Sequence, residues 1–209
     1  MSVLDELNPQ NFSILTANKF ISSLNNLEDQ QFVFTNPLCF NEGSLILTIN
    51  PNGEEEWVKI ENLYLGKLVK TYLHGYRKIK LIGSGKLRNN VNEPWKCMYK
   101  LPKNGNNIFE DLVITGAHSI LVDKIDDDDE YSSTKEYFEG NFRYIDDKIL
   151  LLSCVSKKFI KLTDDNEYTY YHLVLENDGD ITRRYGVWAN GVLTETTNEE
   201  DFIGCISVN

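Results

Sequence analysis

Cysteine is scarce in this chain. There are four, at positions 39, 97, 154 and 205, and no two form a C-x-x-C pair. That is too few for a disulfide scaffold, and the missing pair speaks against structural zinc. Histidine is scarcer still, with His74, His118 and His172 alone, so imidazole chemistry has few places to sit. No apolar run reaches the ~18 residues that a membrane helix needs, and the N-terminus lacks a secretory core, so no membrane partner is expected. No unit repeats. Positive charge is in deficit: 21 Lys and Arg face 32 Asp and Glu, a net −11. This excludes a chain whose whole surface binds nucleic acid. What is present, 41% hydrophobic and 25% charged residues in 209, is globular composition, enough for one cored domain and a short arm.

The charge is uneven. Eleven Lys and Arg and only Glu61 and Glu93 fall between Lys59 and Lys103, giving +9 and leaving −20 for the rest. A lysine-bearing strand face, which also discourages edge pairing, accounts for this more simply than a nucleic-acid patch. Before Pro37 the apolar residues Ile14, Ala17, Phe20, Ile21, Leu24 and Leu27 follow helical spacing. After it the period becomes that of strands. Ser44–Asn50, Trp57–Ile60, Leu68–Leu73, Arg77–Ile82, Cys97–Leu101, Leu112–Ile114, Ser119–Asp123, Ile149–Ser153, Phe159–Leu162, Tyr168–Leu175, Gly186–Ala189 and Val192–Thr194 are strand candidates. Asn104-Gly105, Asn177-Asp178-Gly179 and Asn190-Gly191 are turn signals. Many short strands without intervening helices predict an all-β module. The stretch 124–141, with its acidic run Asp126–Glu130, is expected to be a surface loop. It lacks the alternating ligands and central glycine of a calcium loop.

Two motifs mislead. Gly83-Ser84-Gly85-Lys86 suggests a phosphate loop, but Lys80 stands where the first glycine belongs and Leu87 follows the lysine. A glycine turn between strands is expected there. Ser119 has no nucleophile elbow around it. Cys97, Cys154 and Cys205 fall in no motif and are expected to be small hydrophobes or peripheral thiols, and His74 an exposed hairpin residue.

Three segments stand out together: Cys39-Phe40-Asn41-Glu42-Gly43-Ser44, Thr115-Gly116-Ala117-His118, and Tyr171-His172-Leu173 followed by Ala189-Asn190-Gly191-Val192-Leu193. In order and separation they resemble the blocks of the Hint (Hedgehog/intein) autoprocessing superfamily, with wording closest to the Hint subgroup of large DNA viruses. The resemblance runs from Cys39 to about Thr196. It implies an all-β, pseudo-twofold horseshoe over residues 39–197. Residues 1–38 would be a flanking, extein-like helical segment and 198–209 a short C-terminal tail.

The resemblance also implies the chemistry. Cys39 would attack the carbonyl of Leu38 in an N-to-S acyl shift at the Leu38–Cys39 bond. His118 would protonate the departing nitrogen, and Thr115 would hold that nitrogen or the oxyanion. His172 would take or orient the thiol proton, and Asn190 would give support. The substrate is then the chain's own upstream polypeptide, and the second nucleophile is water, a small thiol or an amine. No cofactor or metal is implied. A monomer in a reducing intracellular compartment, the host cytoplasm for a viral chain, is expected, with no nucleic-acid partner.

The chain departs from inteins at the end of the last block, where Thr194-Glu195-Thr196 replaces the terminal His-Asn pair. Glutamate cannot cyclise as asparagine does, so N-terminal cleavage without full splicing is expected. The Asp that Hedgehog-type domains use for sterol transfer is absent near Ser84-Gly85. The alternative is a degenerate, non-cleaving Hint scaffold that serves as a structural or interaction module.

Overall fold

The structure, a computed structural model, describes residues 38–105 and 107–206, with no side chains beyond Ile203. The expected helical arm lies outside these residues. The site described below lies within residues 38–203.

The described residues form fourteen strands, all paired antiparallel, and few helices. They run β1 (Phe40–Asn41), β2 (Leu45–Ile49), β3 (Glu55–Lys59), β4 (Leu68–Lys70), β5 (Tyr76–Arg88), β6 (Met98–Leu101) and β7 (Leu112–Thr115). Then follow β8 (Ser119–Val122), β9 (Tyr144–Ile145), β10 (Lys148–Leu152), β11 (Ile160–Lys161), β12 (Glu167–Leu175), β13 (Gly186–Ala189) and β14 (Val192–Glu195). The ladder order is β11-β6-β7-β1-β12-β5-β4-β2-β13-β14-β8-β10-β9, with β3 added on β2. The predominantly β reading of the sequence holds. The turn signal at Asn190-Gly191 also holds: both residues have positive φ, at 49° and 91°, and they join β13 to β14 as a two-residue hairpin.

Two expectations fail for local reasons. The acidic run is not a loop but the start of helix α1 (Asp128–Tyr137). Asp127 caps it, its carboxylate accepting from the amides of Asp129 and Glu130, and Asp128, Asp129 and Glu130 sit at the positive end of the helix dipole. The Gly83–Lys86 segment is not a turn. It lies inside β5, a 13-residue strand that pairs with β4 through Tyr76–Lys78 and with β12 from Ile79 onward.

The core is continuous from Phe40, Ile114 and Leu173 through Ile46, Val69 and Ile79 to Val187 and Ala189. Cys97 and Cys154 behave as small hydrophobes: both thiols are pushed up by burial, Cys154 to about 11. His74 is half-buried rather than exposed, with Nε2 2.7 Å from Asp146 Oδ1. No helix among the described residues is long and apolar enough to cross a membrane.

Candidate active site

Strand register assembles the site. Short β1 lies between two partners: Phe40 pairs with Tyr171 of β12 and with Ile114 of β7. In an antiparallel ladder, one step back along β1 is one step forward on each neighbour. Cys39 therefore faces His172 on one side and Thr115 on the other. The backbone agrees, with the Thr115 amide donating to the Cys39 carbonyl at 3.1 Å.

All four side chains expected to carry chemistry converge. The Cys39 amide N–H donates to Thr115 Oγ1 at 3.0 Å, and Cys39 Sγ lies 3.5 Å from His172 Nε2. The other nitrogen of that ring, Nδ1, is 2.9 Å from the Leu38 carbonyl oxygen. A carbonyl only accepts, so Nδ1 carries the proton and Nε2 presents its lone pair to the thiol. One imidazole thus touches both the Cys39 thiol and the Leu38 carbonyl. Thr197 Oγ1 also donates to the Leu38 oxygen, at 3.4 Å.

Thr115, expected on either the nitrogen or the oxyanion, is on the nitrogen. The carbonyl side belongs to His172 and Thr197, and the latter was not singled out in the sequence. His118 uses Nε2–H to reach the Glu195 carbonyl at 2.9 Å. Its Nδ1 is buried without a well-formed hydrogen bond, and the Cys39 backbone adjoins the ring. Of the two ring nitrogens, Nδ1 is therefore the one left to exchange a proton with a neighbour. The turn carrying His118 is wired throughout. The amides of Gly116 and Ala117 donate to Cys97 and Trp95, Ser153 Oγ donates to the Thr115 carbonyl, and the Ser153 amide donates to that of His118. Gly116 is required there, because a Cβ would stand 1.9 Å from the Pro94 oxygen.

Asn190 is not at this constellation. Its Oδ1 accepts from the Leu45 amide at 2.6 Å and its Nδ2 donates to the Asp111 carbonyl at 2.8 Å. Its support is to strand geometry. It also lines a cleft of about 390 Å³ with Asn41, Glu42, Gly43 and Ser44, just past Cys39. Glu195 is a buried strut, not a reacting group: Oε1 accepts from the Ser119 amide at 2.9 Å and Oε2 from Arg184 at 2.8 Å.

No protein-family model matches this chain, and no curated protein matches it.

The site is dry. Cys39, Thr115 and His118 are fully buried and His172 is 5% exposed. Burial disfavours the imidazolium, so both rings are pushed below the ordinary histidine value, His172 to about 4. The Leu38 carbonyl opposes this for His172, and the backbones of Cys39 and Glu195 with the Glu195 charge oppose it for His118.

A stability profile follows. Between the folded value of about 4 and an unfolded value of ~6.5, the unfolded chain binds more protons at His172 than the folded one. Its contribution is thus complete above pH ~6.5, falls as pH drops towards 4, and falls no further below. In size it is about 3 kcal/mol. Urea unfolding of the wild type and of His172→Asn across pH 4 to 7 should show a shallower fall in the variant.

Proposed function

We propose that this chain is a Hint-type autoprocessing domain that cleaves its own Leu38–Cys39 bond. The observation that carries the reading is the double contact of His172, with Nε2 on the thiol of Cys39 and Nδ1 on the carbonyl of Leu38. The Thr115 hydroxyl on the amide nitrogen that would leave supports it. So does the open, all-antiparallel sheet that brings β1 between β7 and β12.

The steps balance without a co-reactant. Cys39 Sγ attacks the Leu38 carbonyl carbon while its proton passes to His172 Nε2. Holding thiol and carbonyl in one place supplies the proximity that such reactions need. The new imidazolium still donates through Nδ1 to the developing oxyanion, joined by Thr197, so the charges created face each other in a water-poor site. Collapse breaks the C–N bond. The proton gained from the thiol is delivered to the nitrogen, which becomes the free α-amine of Cys39. Thr115 Oγ1 positions that nitrogen, and His118 Nδ1, beside the same backbone, hands on to it the proton received from His172. The product is a thioester between Leu38 and Sγ. A second nucleophile adds to the carbonyl, the C–Sγ bond breaks, and Cys39 regains its proton.

The C-terminal cut has no reagent here, because Glu195 is tied to Ser119 and Arg184. N-terminal cleavage alone is the outcome. Incubation of the purified chain with dithiothreitol should release a fragment whose N-terminal sequence begins Cys39-Phe40-Asn41, and Cys39→Ala should release none. Equal persistence of both intact chains would favour the non-cleaving scaffold.

A further inference from the structure

The glycines of Gly83-Ser84-Gly85 have no part in phosphate binding, yet their placement is specific. On β5 they stand directly across the ladder from His172 and Tyr170 of β12. At Gly85 a Cβ would meet the Tyr170 hydroxyl at 2.5 Å, and at Gly83 one would stand 3.1 Å from the Phe202 ring. The two missing side chains make room for two aromatic rings, and both rings bracket His172. Tyr170 lies edge-on at 5.2 Å between centroids and Phe202 at 6.2 Å.

Phe202 belongs to a second helix, α2 (Glu199–Ile206), in what the sequence suggested was a mere tail. Asn198 starts it, Oδ1 accepting from the Asp201 amide at 2.7 Å. Phe202 is only 3% exposed, whereas its neighbour Ile203 is 39% exposed. The same short segment carries Thr197, whose hydroxyl reaches the Leu38 carbonyl. The start of α2 is also anchored by polar contacts: Glu199 to Lys80 and Asn177, and Asp201 to Arg184. Among the described side chains of this helix, Phe202 is the buried apolar one.

We propose that α2 is a plug and that Phe202 determines which second nucleophile reaches the Leu38 acyl group. The proposal rests on the autoprocessing reading for its chemistry, but its geometry stands apart from it. With Phe202 seated over Gly83, His172 and the acyl carbon are shut off from water and from small thiols. With it withdrawn, a thiolate enters beside His172 and attacks the thioester carbonyl, and the C–Sγ bond breaks as described above. Local opening of a single short helix is suited to gating.

The test is the rate at which iodoacetamide alkylates each cysteine of the full chain, read by peptide mass spectrometry. In Phe202→Ala the alkylation of Cys39 should rise at least about tenfold over wild type. Removing a buried ring weakens docking by more than the ~1.4 kcal/mol that tenfold represents. Cys97, buried elsewhere in the core, should stay slow. Phe202→Leu should retain most of the protection, and Gly83→Val, which fills the seat without altering α2, should reproduce the opening. Equal Cys39 rates in wild type, Phe202→Ala and Gly83→Val would overturn the plug. So would a parallel rise at Cys97, because α2 would then open only with the whole fold. Since alkylation needs no cleavage, faster Cys39 labelling in a chain that never cleaves would sink the autoprocessing reading and leave the plug standing.

Discussion

Replacing His172 with alanine should lower the rate of thiol-dependent release at Leu38–Cys39 by about 10³-fold or more, a larger loss than at any residue other than Cys39. The ring does two jobs at once. As the base for the thiol it is worth ~10²–10⁴-fold, and as a donor to the developing oxyanion ~10²–10³-fold. Because both reside in one group and act in one step, the losses do not multiply in full. The conservative variant separates them. Asparagine can place an amide N–H near the position of Nδ1 and so keep a donor on the Leu38 carbonyl, while it lacks the lone pair that Nε2 offers to Sγ. His172→Asn should therefore fall between wild type and His172→Ala. Thr197→Val, which removes the longer and weaker donor, should cost about tenfold, less than the ~10²–10³-fold of a well-placed oxyanion donor. Single-turnover release assays would give all four rates. Equal rates in wild type and His172→Ala would assign the ring to packing.

The second large effect is on stability. Arg184→Ala should cost about 3–5 kcal/mol, because it leaves the Glu195 carboxylate charged and without its cation at 1% exposure. For a domain of this size that is a drop of roughly 10 °C in melting temperature. Glu195→Gln should cost less, since an amide oxygen can still accept from the Ser119 amide, and Arg184 keeps Asp201. The backbone of Glu195 also holds Nε2 of His118, so movement of this residue should slow cleavage as well as loosen the fold. Glu195→Asn should produce no C-terminal cut. It shortens the strut that Arg184 and Ser119 grip and adds no histidine beside it. A scanning calorimetry trace of Arg184→Ala within about 0.5 kcal/mol of wild type, the range of ordinary surface changes, would show that this pair is not a strut.

How much of this was legible in the sequence depends on whether the information was local. The strand pattern was, since alternation and β-branched runs are properties of neighbouring residues, and the Asn190-Gly191 hairpin carries its own turn chemistry. The convergence of Cys39, Thr115 and His172 was inferable only through the resemblance, because the register that aligns them lies between strands far apart in the chain. Helix α1 was missed because an acidic run looks like a solvated loop until its first aspartate is recognised as a cap and the others as partners of the helix dipole. The start of α2 offered a similar signal, Asn198 ahead of Glu199, Glu200 and Asp201. Thr197 and Phe202 had no such signal. A lone threonine and a lone phenylalanine acquire meaning only from the carbonyl and the glycine they meet across the fold.

The central claim is that an acyl bond to Cys39 Sγ forms at Leu38. Hydroxylamine tests it most directly, since it captures a thioester as a hydroxamate far faster than it attacks an amide. Intact-mass and fragment analysis after treatment at neutral pH should find an upstream fragment ending in Leu38 hydroxamate and a partner beginning with Cys39, with neither in Cys39→Ala. An uncut chain, or a cut that survives the loss of Cys39, would contradict the account.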